Sequence, residues 1–399
     1  MTRVAAGQAT QGSREAELRA SLLAQARRVV VKIGSNVLTN AGGLDGAVME
    51  RLGAEIATLK ADGREVLLVS SGAIAAGLKK MNLTSRPKAV PEQQACAAVG
   101  QSGLMMAYEE AFGRSGLRVG QVLLTRDDLA VRKRYLNARN TLLALLGWGV
   151  VPIINENDTV AVEEIRFGDN DLLSAMICDL ASADLLVILS TIDGLYDGDP
   201  NDKASRLIGL VEAIDRKVER WVAPTRSEFG LGGMESKLQA AKRVALGGRP
   251  TVIANGKLAG VLGRLMGGEG VGTLILPAAQ TLSSRKRWIA FTCAPKGELV
   301  LDDGACRVLC AEGKSLLPSG IVEVRGRFGL GAPVRCVDAQ GAEIGVGLVN
   351  YSSADLAKIA GRKSSEIEAA LGYHFYDEAI HRDNLVVHHK KPKSQESKG

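Results

Sequence analysis

Histidine is absent from almost all of this sequence. The four histidines all follow residue 373, at His374, His381, His388 and His389. The first 373 residues therefore contain no Ser-His-Asp triad, no imidazole base and no histidine-based metal site. No segment has the unbroken apolar run of a membrane span. The six cysteines form no C-x-x-C pair, which predicts reduced thiols in a cytoplasmic protein.

Positive charge is in excess, but only in one part of the chain. A net charge of +6 is compatible with a nucleic-acid partner. Between Trp288 and Tyr373, however, nine Lys and Arg residues stand against ten Asp and Glu residues. The excess therefore lies in the larger N-terminal part, where anionic substrates such as phosphates explain it equally well.

The length of 399 residues exceeds that of one ordinary hydrophobic core, so we expect two domains. Up to about residue 277, apolar runs alternate with helical stretches, which indicates an α/β fold with a mainly parallel sheet covered on both faces. The predicted strands are residues 29–33, 66–69, 121–124, 150–154, 185–189, 251–254 and 273–276. Helices are predicted at residues 46–60, 140–146 and 234–245, with a short amphipathic helix before residue 25.

The pattern changes at Arg285-Lys286-Arg287, after which short β-like pieces are punctuated by glycine. These pieces, at residues 298–301, 321–324, 333–337 and 345–349, predict a small β-rich barrel. The expected organisation is an N-terminal extension (1–27), an α/β domain (28–282), a β-rich domain (288–375) and a partly disordered tail (376–399).

Two loops rich in Asn, Asp and Glu are the most informative feature. Asn155-Glu156-Asn157-Asp158 follows the apolar run that ends at Ile154, and Gly168-Asp169-Asn170-Asp171 follows shortly after. Open α/β sheets bind ligands beyond the carboxyl ends of their strands, and buried unpaired acids and amides are costly. We therefore expect these side chains outside the core, where they would grasp a small polar molecule, hold a cation or orient lysines. A solvated turn is the alternative.

Two lysines lie beside glycine-rich turns that suit anions. Lys32 ends an apolar run before Ile33-Gly34, and Lys237 follows Gly230-Leu231-Gly232-Gly233 in a loop that lacks the P-loop spacing. Ser71-Gly72-Ala73 adds free amides at a predicted helix start. A solvent-reaching edge lysine and tight packing of small residues are the plain alternatives. Together with the acidic loops, these features make a set for phosphoryl transfer.

The missing histidine favours one kind of phosphoryl acceptor. An alcohol acceptor usually needs a base, whereas a carboxylate, with a pKa of about 4, is already ionised at neutral pH. The residues are therefore best suited to phosphorylation of a carboxylate.

Further short motifs occur in order at residues 30–35, 70–77, 97–101, 124–126, 135–139, 194–196 and 232–234. With the two acidic loops, they resemble the amino acid kinase family, and within it the glutamate 5-kinases. The resemblance implies an αβα sandwich, a C-terminal PUA domain, and ATP and Mg²⁺ as cofactors, with Mg²⁺ held mainly by ATP phosphates. The implied reaction converts L-glutamate to γ-glutamyl phosphate, the first step of proline biosynthesis. Proline inhibition, a homo-oligomer (dimer or tetramer) and handover to glutamate-5-semialdehyde dehydrogenase are also implied.

The resemblance also implies individual roles. Lys32 and Lys237 would neutralise charge on the transferring phosphoryl group, and Asp171 would orient both lysines. Glutamate binding is assigned to Ser71, Asp158, Asn170 and Asp169. ATP binding is assigned to Lys32, Ser190, Thr191, Leu231, Gly232, Gly233, Met234, Glu235, Ser236 and Lys237, and no residue is assigned to a metal.

The chain departs from the family pattern on the ATP side. Ser190-Thr191 stands where the family usually has Thr-Asp, and Leu231 replaces a threonine, so a carboxylate and a hydroxyl are lost. Competing functions are another carboxylate kinase, acting on N-acetylglutamate, aspartate or carbamate, and a PUA-type RNA-binding protein. The near-neutral PUA region argues against RNA. We expect that region to regulate the enzyme or shape its oligomer, and we expect no membrane partner.

Overall fold

The computed structural model describes residues 15–40, 43–161, 170–222, 233–279, 281, 283, 286–287, 289–290 and 295–387. The chain divides into two compact units, Met1–Thr281 and Leu282–Gly399. Within the described ranges, no helix has both the length and the apolar character needed to cross a membrane.

The large unit is built on one eight-stranded sheet. Strands β2 and β3 form a separate two-stranded ribbon. In chain order, the strands of the large unit are β1 (Arg28–Ile33), β2 (Thr39–Asn40), β3 (Gly43–Leu44), β4 (Glu65–Ser70), β5 (Val119–Leu124), β6 (Val151–Glu156), β7 (Leu185–Ser190), β8 (Leu210–Val211), β9 (Thr251–Asn255) and β10 (Thr273–Ile275). The strand order is β5-β6-β4-β1-β7-β9-β10-β8. Every neighbouring pair is parallel except β9–β10, so the expected mainly parallel sheet is confirmed.

Helices cover both faces of this sheet. They are α1 (residues 15–25), α2 (Ser35–Leu38), α3 (Gly46–Ala61), α4 (Ala73–Lys80), α5 (Val90–Gly113), α6 (Arg126–Ala130), α7 (Arg132–Gly147), α8 (Asn170–Ala181), α9 (Arg216–Trp221), α10 (Met234–Leu246) and α11 (Val261–Met266). One core joins the sheet to α1, α3, α5 and α11, and a second joins it to α7, α8 and α10. The large unit is thus the expected αβα sandwich.

Strand alternation decides which layer each side chain faces. Val29, Val31 and Ile33 of β1 pack in the α3–α5 layer, and Val30 packs in the α8–α10 layer. Successive strand residues point to opposite faces, so Lys32 points the same way as Val30. Burial of such a Val, Leu or Ile side chain contributes about 1.5–3 kcal/mol, which holds this register firmly.

The carboxyl ends of four strands meet at one edge of the sheet. Ile33 of β1 lies opposite Ser70 of β4 and Leu189 of β7, and Val69 lies opposite Ile154 of β6. Four residues of this edge therefore lie at nearly the same height along the strand direction, offset by about one residue: Lys32, Ser70, Asn155 and Ser190. Ligands of such sheets bind at this edge.

Helices α4 and α5 approach each other unusually closely. A Cβ on Gly77 would lie 1.8 Å from the Cys96 carbonyl oxygen, and a Cβ on Gly100 would lie 1.9 Å from the Ala73 carbonyl oxygen. Only glycine allows this backbone contact. The contact places the start of α4 beside the middle of α5 at the same edge of the sheet.

The small unit has its own core and a five-stranded sheet of order β12-β11-β13-β14-β15. Its elements are β11 (Gly297–Leu301), α12 (Asp303–Glu312), β12 (Ile321–Gly326), β13 (Pro333–Val337), β14 (Glu343–Leu348), α13 (Ser353–Ile359), α14 (Ile367–Leu371) and β15 (Leu385–Val387). The β-rich character is confirmed. The sequence predicts that this domain ends at residue 375. The domain extends further, because strand β15 pairs with β14.

One expectation about the first acidic loop is wrong. Asn155 and Glu156 do not lie outside the core: they are the last residues of β6 and are 3% and 7% exposed. Burial is tolerated because Asn155 is hydrogen-bonded through both ends of its amide. Only Asn157 and Asp158 follow the strand, half-buried.

Candidate active site

Two lysines converge on one carboxylate in the α8–α10 layer. Lys32 Nζ lies 2.6 Å from Asp171 Oδ1, and Lys237 Nζ lies 3.1 Å from Asp171 Oδ2. Ser236 Oγ donates to Asp171 Oδ2 at 2.8 Å. All three charged side chains are buried, with Asp171 at 0% and Lys32 at 2% exposure. We call these four residues the charged cluster.

Local sequence explains how the charged cluster forms. Lys32 points into this layer by strand alternation, and Asp171 lies in the first turn of α8, where the helix dipole favours a carboxylate. Helix α10 begins after Gly233, whose carbonyl oxygen lies 2.9 Å from Ser236 Oγ and accepts from Lys237 Nζ at 3.4 Å. At the start of α10, both residues are thus held beside Asp171 of α8.

The electrostatics of the charged cluster suit an anion. Two ammonium groups flank one carboxylate, so these three side chains carry a net charge of +1 in a buried setting. Charge interactions are much stronger there than in water. A phosphoryl group next to the lysines would gain this interaction directly.

Neutral amides line the adjoining part of the same edge. Asn170 Nδ2 donates to the Ser70 carbonyl at 2.5 Å, to Asn155 Oδ1 at 2.8 Å and to Ser71 Oγ at 3.2 Å. Asn155 Nδ2 donates in turn to Gln101 Oε1 at 2.8 Å. We call Ser71, Gln101, Asn155 and Asn170 the amide chain. One end of the amide chain is Asn170, which directly precedes Asp171. The other end is Gln101, which belongs to α5.

A buried tyrosine is hydrogen-bonded to Ser70, the residue before Ser71 of the amide chain. Tyr108 of α5 is fully buried, and its hydroxyl lies 2.8 Å from Ser70 Oγ. Burial raises the pKa of Tyr108 because a phenolate would lose its hydration, while the hydrogen bond with Ser70 lowers it. The phenol is therefore neutral at physiological pH, and it fixes Ser70 beside Ser71.

The turn after Ser71 requires glycine. Gly72 has φ of +110°, a value that residues with a side chain rarely adopt. It turns the chain from β4 into α4 directly above the strand end. Ser71 is thereby held half-buried within reach of Asn170.

The structure joins only some of the residues proposed from the sequence. Lys32, Asp171, Ser236 and Lys237 meet in the charged cluster, and Ser71 and Asn170 meet in the amide chain. Other proposed residues lie elsewhere at this edge or at the start of α10: Asp158 follows β6, Ser190 ends β7 with Thr191 after it, and Met234 and Glu235 begin α10. Asp169, Leu231 and Gly232 lie outside the described residues.

Two residues of the amide chain were not among the proposed site residues. Asn155 was treated as a member of an exposed loop, and Gln101 was noted only within a motif. One sequence feature could have pointed to Gln101, since Gln101 directly follows Gly100. The close contact of Gly100 with α4 sets the position of Gln101. Recognising that contact requires knowledge that α4 and α5 are neighbours.

The chemistry of the charged cluster suits phosphate groups. The paired lysines provide charge for phosphates. In the part of the chain that the structure describes, no three His, Cys, Asp or Glu side chains form a group that could hold a metal ion.

Known families match both parts of the chain. Residues 27–255 match the amino acid kinase family, and residues 297–371 match the PUA domain. Glutamate 5-kinase from Pelobacter propionicus is 52% identical over 372 residues, and that from Geobacter metallireducens is 54% identical over 372 residues. Each alignment covers 93% of this chain and 100% of the relative.

Among solved structures, carbamate kinase from Giardia lamblia bound to AMP-PNP aligns with a TM-score of 0.47 and 16% identity, covering 64% of this chain and 100% of that chain. The sequence relatives carry the assignment. Because they match across 93% of its length, this chain belongs to the glutamate 5-kinases of the amino acid kinase family.

Proposed function

We propose that this protein uses ATP to phosphorylate the γ-carboxylate of L-glutamate, producing γ-glutamyl phosphate and ADP. One observation carries the proposal: the buried charged cluster of Lys32, Asp171 and Lys237 adjoins the amide chain at the carboxyl edge of the sheet. The names of the relatives supply the identity of the substrate.

The proposed reaction needs no base. A γ-carboxylate oxygen forms a bond to the γ-phosphorus of ATP, and the bond from that phosphorus to the β,γ-bridging oxygen breaks. ADP leaves with the electron pair of the broken bond. The carboxylate is already ionised near neutral pH, so the lack of histidine within the first 373 residues is no obstacle.

Lys32 and Lys237 stabilise charge on the transferring phosphoryl group in this proposal, and Asp171 holds both ammonium groups in position. Such preorganised donors are typically worth a factor of about 10²–10³ in rate each. Ser71, Asp158, Asn170 and Asp169 bind glutamate. Ser190, Thr191 and the loop from Leu231 to Lys237 face ATP, and Mg²⁺ arrives held by the phosphates.

The wider role follows from the family assignment and is also proposed. The reaction is the first step of proline biosynthesis, takes place in the cytoplasm, is inhibited by proline, and hands its product to glutamate-5-semialdehyde dehydrogenase. The enzyme works as a homo-oligomer, a dimer or a tetramer. The PUA domain has a regulatory or assembly role.

The direct test is ATP-dependent hydroxamate formation from L-glutamate, because hydroxylamine traps an acyl phosphate. N-acetylglutamate, aspartate and carbamate are compared in parallel, with ADP release as the readout for carbamate, and proline is added to a second glutamate series. We expect turnover with L-glutamate only, and a decrease on addition of proline. Preference for another acceptor, or filter binding of structured RNA without kinase activity, would refute the proposal.

A further inference from the structure

A buried arginine joins the first helix to loops at one edge of the sheet. Arg19 of α1 is only 1% exposed, although a buried charge is costly unless it is paired and hydrogen-bonded. Its Nε donates to Glu15 Oε1 at 3.0 Å. Its Nη1 donates to the Val271 carbonyl at 3.1 Å, and its Nη2 donates to the carbonyls of Gly209 and Gly272. One guanidinium therefore holds two segments of the chain that are distant in sequence.

These carbonyls lie at the edge of the sheet that carries the candidate active site. Gly209 directly precedes β8, and Gly272 directly precedes β10. Strand β10 is antiparallel to β9 and parallel to β8, so β8 and β10 both begin at the edge where β9 ends. Ser190 ends β7, which lies on the other side of β9. Because neighbouring strands are about 4.8 Å apart, Gly272 lies roughly 10 Å from Ser190.

A series of contacts leads from Gly272 to the loop that follows β7. Thr273, the next residue, is fully buried, and its Oγ1 donates to the Ile208 carbonyl at 2.6 Å. The same oxygen accepts from the Leu195 backbone amide at 2.8 Å. A Cβ on Gly194 would lie 2.5 Å from Thr273 Oγ1, so the loop packs directly against this residue. The position of Thr273 therefore sets where the loop ends.

The same loop, residues 190–195, is held at its other end by β9 and the residue that follows it. The Gly256 backbone amide donates to the Ser190 carbonyl at 2.8 Å, and Asn255 Nδ2 donates to Asp193 Oδ1 at 2.9 Å. The loop is thus fixed by contacts on the β9 side and on the β10 side. The contact with β10 is the one that the buried guanidinium supports.

We infer that Arg19 is a positioning residue for ATP binding. It fixes the start of β10, and through Thr273 it fixes the 190–195 loop. This inference rests on the proposed function, in which Ser190 and Thr191 face ATP. Helix α1 precedes the part of the chain that matches the amino acid kinase family. It therefore gives the ATP side of the site a support that lies outside that match.

The contacts require an arginine on a rigid helix. A guanidinium presents five N–H donors in a fixed planar arrangement, whereas lysine has one compact ammonium group. Helix α1 is itself held in place, because Leu23 is fully buried in the core shared with α3, α5 and α11. A Cβ on Gly268 would lie 3.2 Å from Ala20 Cα, so the loop before β10 also lies close to this helix.

The test compares Arg19→Met with Arg28→Met, a matched control at the opposite edge of the sheet. Arg28 is the first residue of β1, pairs with Glu65 at 2.7 Å and donates to the Ala181 carbonyl. It therefore also binds a carboxylate and a backbone carbonyl, but at the amino ends of the strands. Arg19→Lys keeps the charge and loses most of the carbonyl contacts.

For each full-length variant, the KM values for ATP and L-glutamate, kcat and the melting temperature are measured. The Kd of the Mg²⁺ complex of AMP-PNP is measured by calorimetric titration, which does not depend on turnover. We expect Arg19→Met to raise the ATP KM and the AMP-PNP Kd by about threefold to thirtyfold, as for substitutions that act on a site through intervening contacts. Arg19→Lys should give a smaller rise. The glutamate KM should stay near wild type, and Arg28→Met should lower only the melting temperature.

An unchanged ATP KM in Arg19→Met would overturn the inference. An equal rise in Arg28→Met would also overturn it, because the effect would then follow from stability alone, and so would a parallel rise in the glutamate KM. If Arg19→Met does not fold, Arg19→Lys decides by the same criteria. Wild-type protein without glutamate turnover would instead refute the proposed function, while the AMP-PNP titration would still test the role of Arg19.

Discussion

The two layers of the sandwich contribute different chemistry to one edge of the sheet. From the α8–α10 layer come Asp171 and Lys237, joined by Lys32, which are charged and buried. From the α4–α5 layer come Ser71 and Gln101, which are neutral and hydrogen-bonded through amides. The two sides meet at Asn170 and Asp171, adjacent residues at the start of α8.

Under the proposed function, the difference separates catalysis from substrate recognition. Fixed charges next to the reacting phosphoryl group interact more strongly in the transition state than in the ground state, so they act on kcat. Neutral amides hold parts of the substrate that do not change charge, so they act mainly on KM. Substitutions in the two layers should therefore produce opposite kinetic signatures.

The largest effect is expected from the charged cluster. Lys237→Ala or Lys32→Ala should lower kcat by about a hundredfold or more with the fold intact, because a preorganised donor is lost. Steady-state kinetics with L-glutamate and a melting curve for each variant measure this. Lys242→Ala, on the same helix but paired with Glu219 at the surface, is the control. Near wild-type turnover in both variants would refute the phosphoryl-transfer assignment.

The residues proposed to bind glutamate should respond through KM. Asp158→Asn and Asn170→Ala should raise the glutamate KM by about tenfold or more and leave the ATP KM nearly unchanged, because hydrogen bonds to a charged substrate are lost. Asn140→Ala, at an exposed position of α7, serves as the control. An unchanged glutamate KM in both variants would place the glutamate site elsewhere.

A smaller effect is expected from the contact between α4 and α5. Gly100→Ala would place a Cβ 1.9 Å from the Ala73 carbonyl oxygen, so the helices must separate. We expect a loss of about 1–3 kcal/mol in the free energy of unfolding, as for other overpacked sites, with a several-fold rise in the glutamate KM as the amide chain shifts. Denaturant unfolding and kinetics measure both quantities.

Gly103→Ala is the matched control for that experiment. It lies in the same helix, and its added Cβ would meet no atom within 4 Å. Alanine should stabilise the helix there by about 0.5–1 kcal/mol. Equal effects of the two substitutions would show that the close approach of α4 and α5 does not matter.

The smallest effect is expected when the small unit is removed. Every described residue of the charged cluster and the amide chain precedes Thr281, where the large unit ends. A chain that ends there should fold and keep a kcat within about threefold of the full-length value, because domains with their own cores are usually separable. Proline response, Mg²⁺ demand and assembly are the properties that should change. A monodisperse truncation without glutamate phosphorylation would contradict a purely regulatory role.

The sequence predicted the sheet well because buried parallel strands have a strong signature. The run Val29-Val30-Val31 and the run Leu185–Ser190 are continuous apolar segments of strand length, and both form central strands. Helix α5 was not predicted: its apolar residues do not form one clear stripe, because it packs against both the sheet and α4. The short edge strand β8 was also missed, since two residues carry no periodic pattern.

For the site, the sequence by itself determined which residue types were available. With no histidine before residue 374 and lysines beside glycine-rich turns, a charge-stabilised transfer to a carboxylate was the reaction that these residues suit best. Lys32, Asp171 and Lys237 were proposed as one group, and they do lie together. That grouping came from the resemblance to the amino acid kinase family, whose motifs these three residues match.

Only the tertiary structure decided how the polar residues are partnered. The sequence placed Asn155 in an acidic loop outside the core, but it is buried at a strand end because Asn170 and Gln101, distant in sequence, satisfy its amide. The contact between Gly77 and Cys96, and that between Gly100 and Ala73, place Gln101 there. Whether a buried amide is satisfied depends on neighbours brought together by packing of two layers, and no local pattern along one chain records that packing.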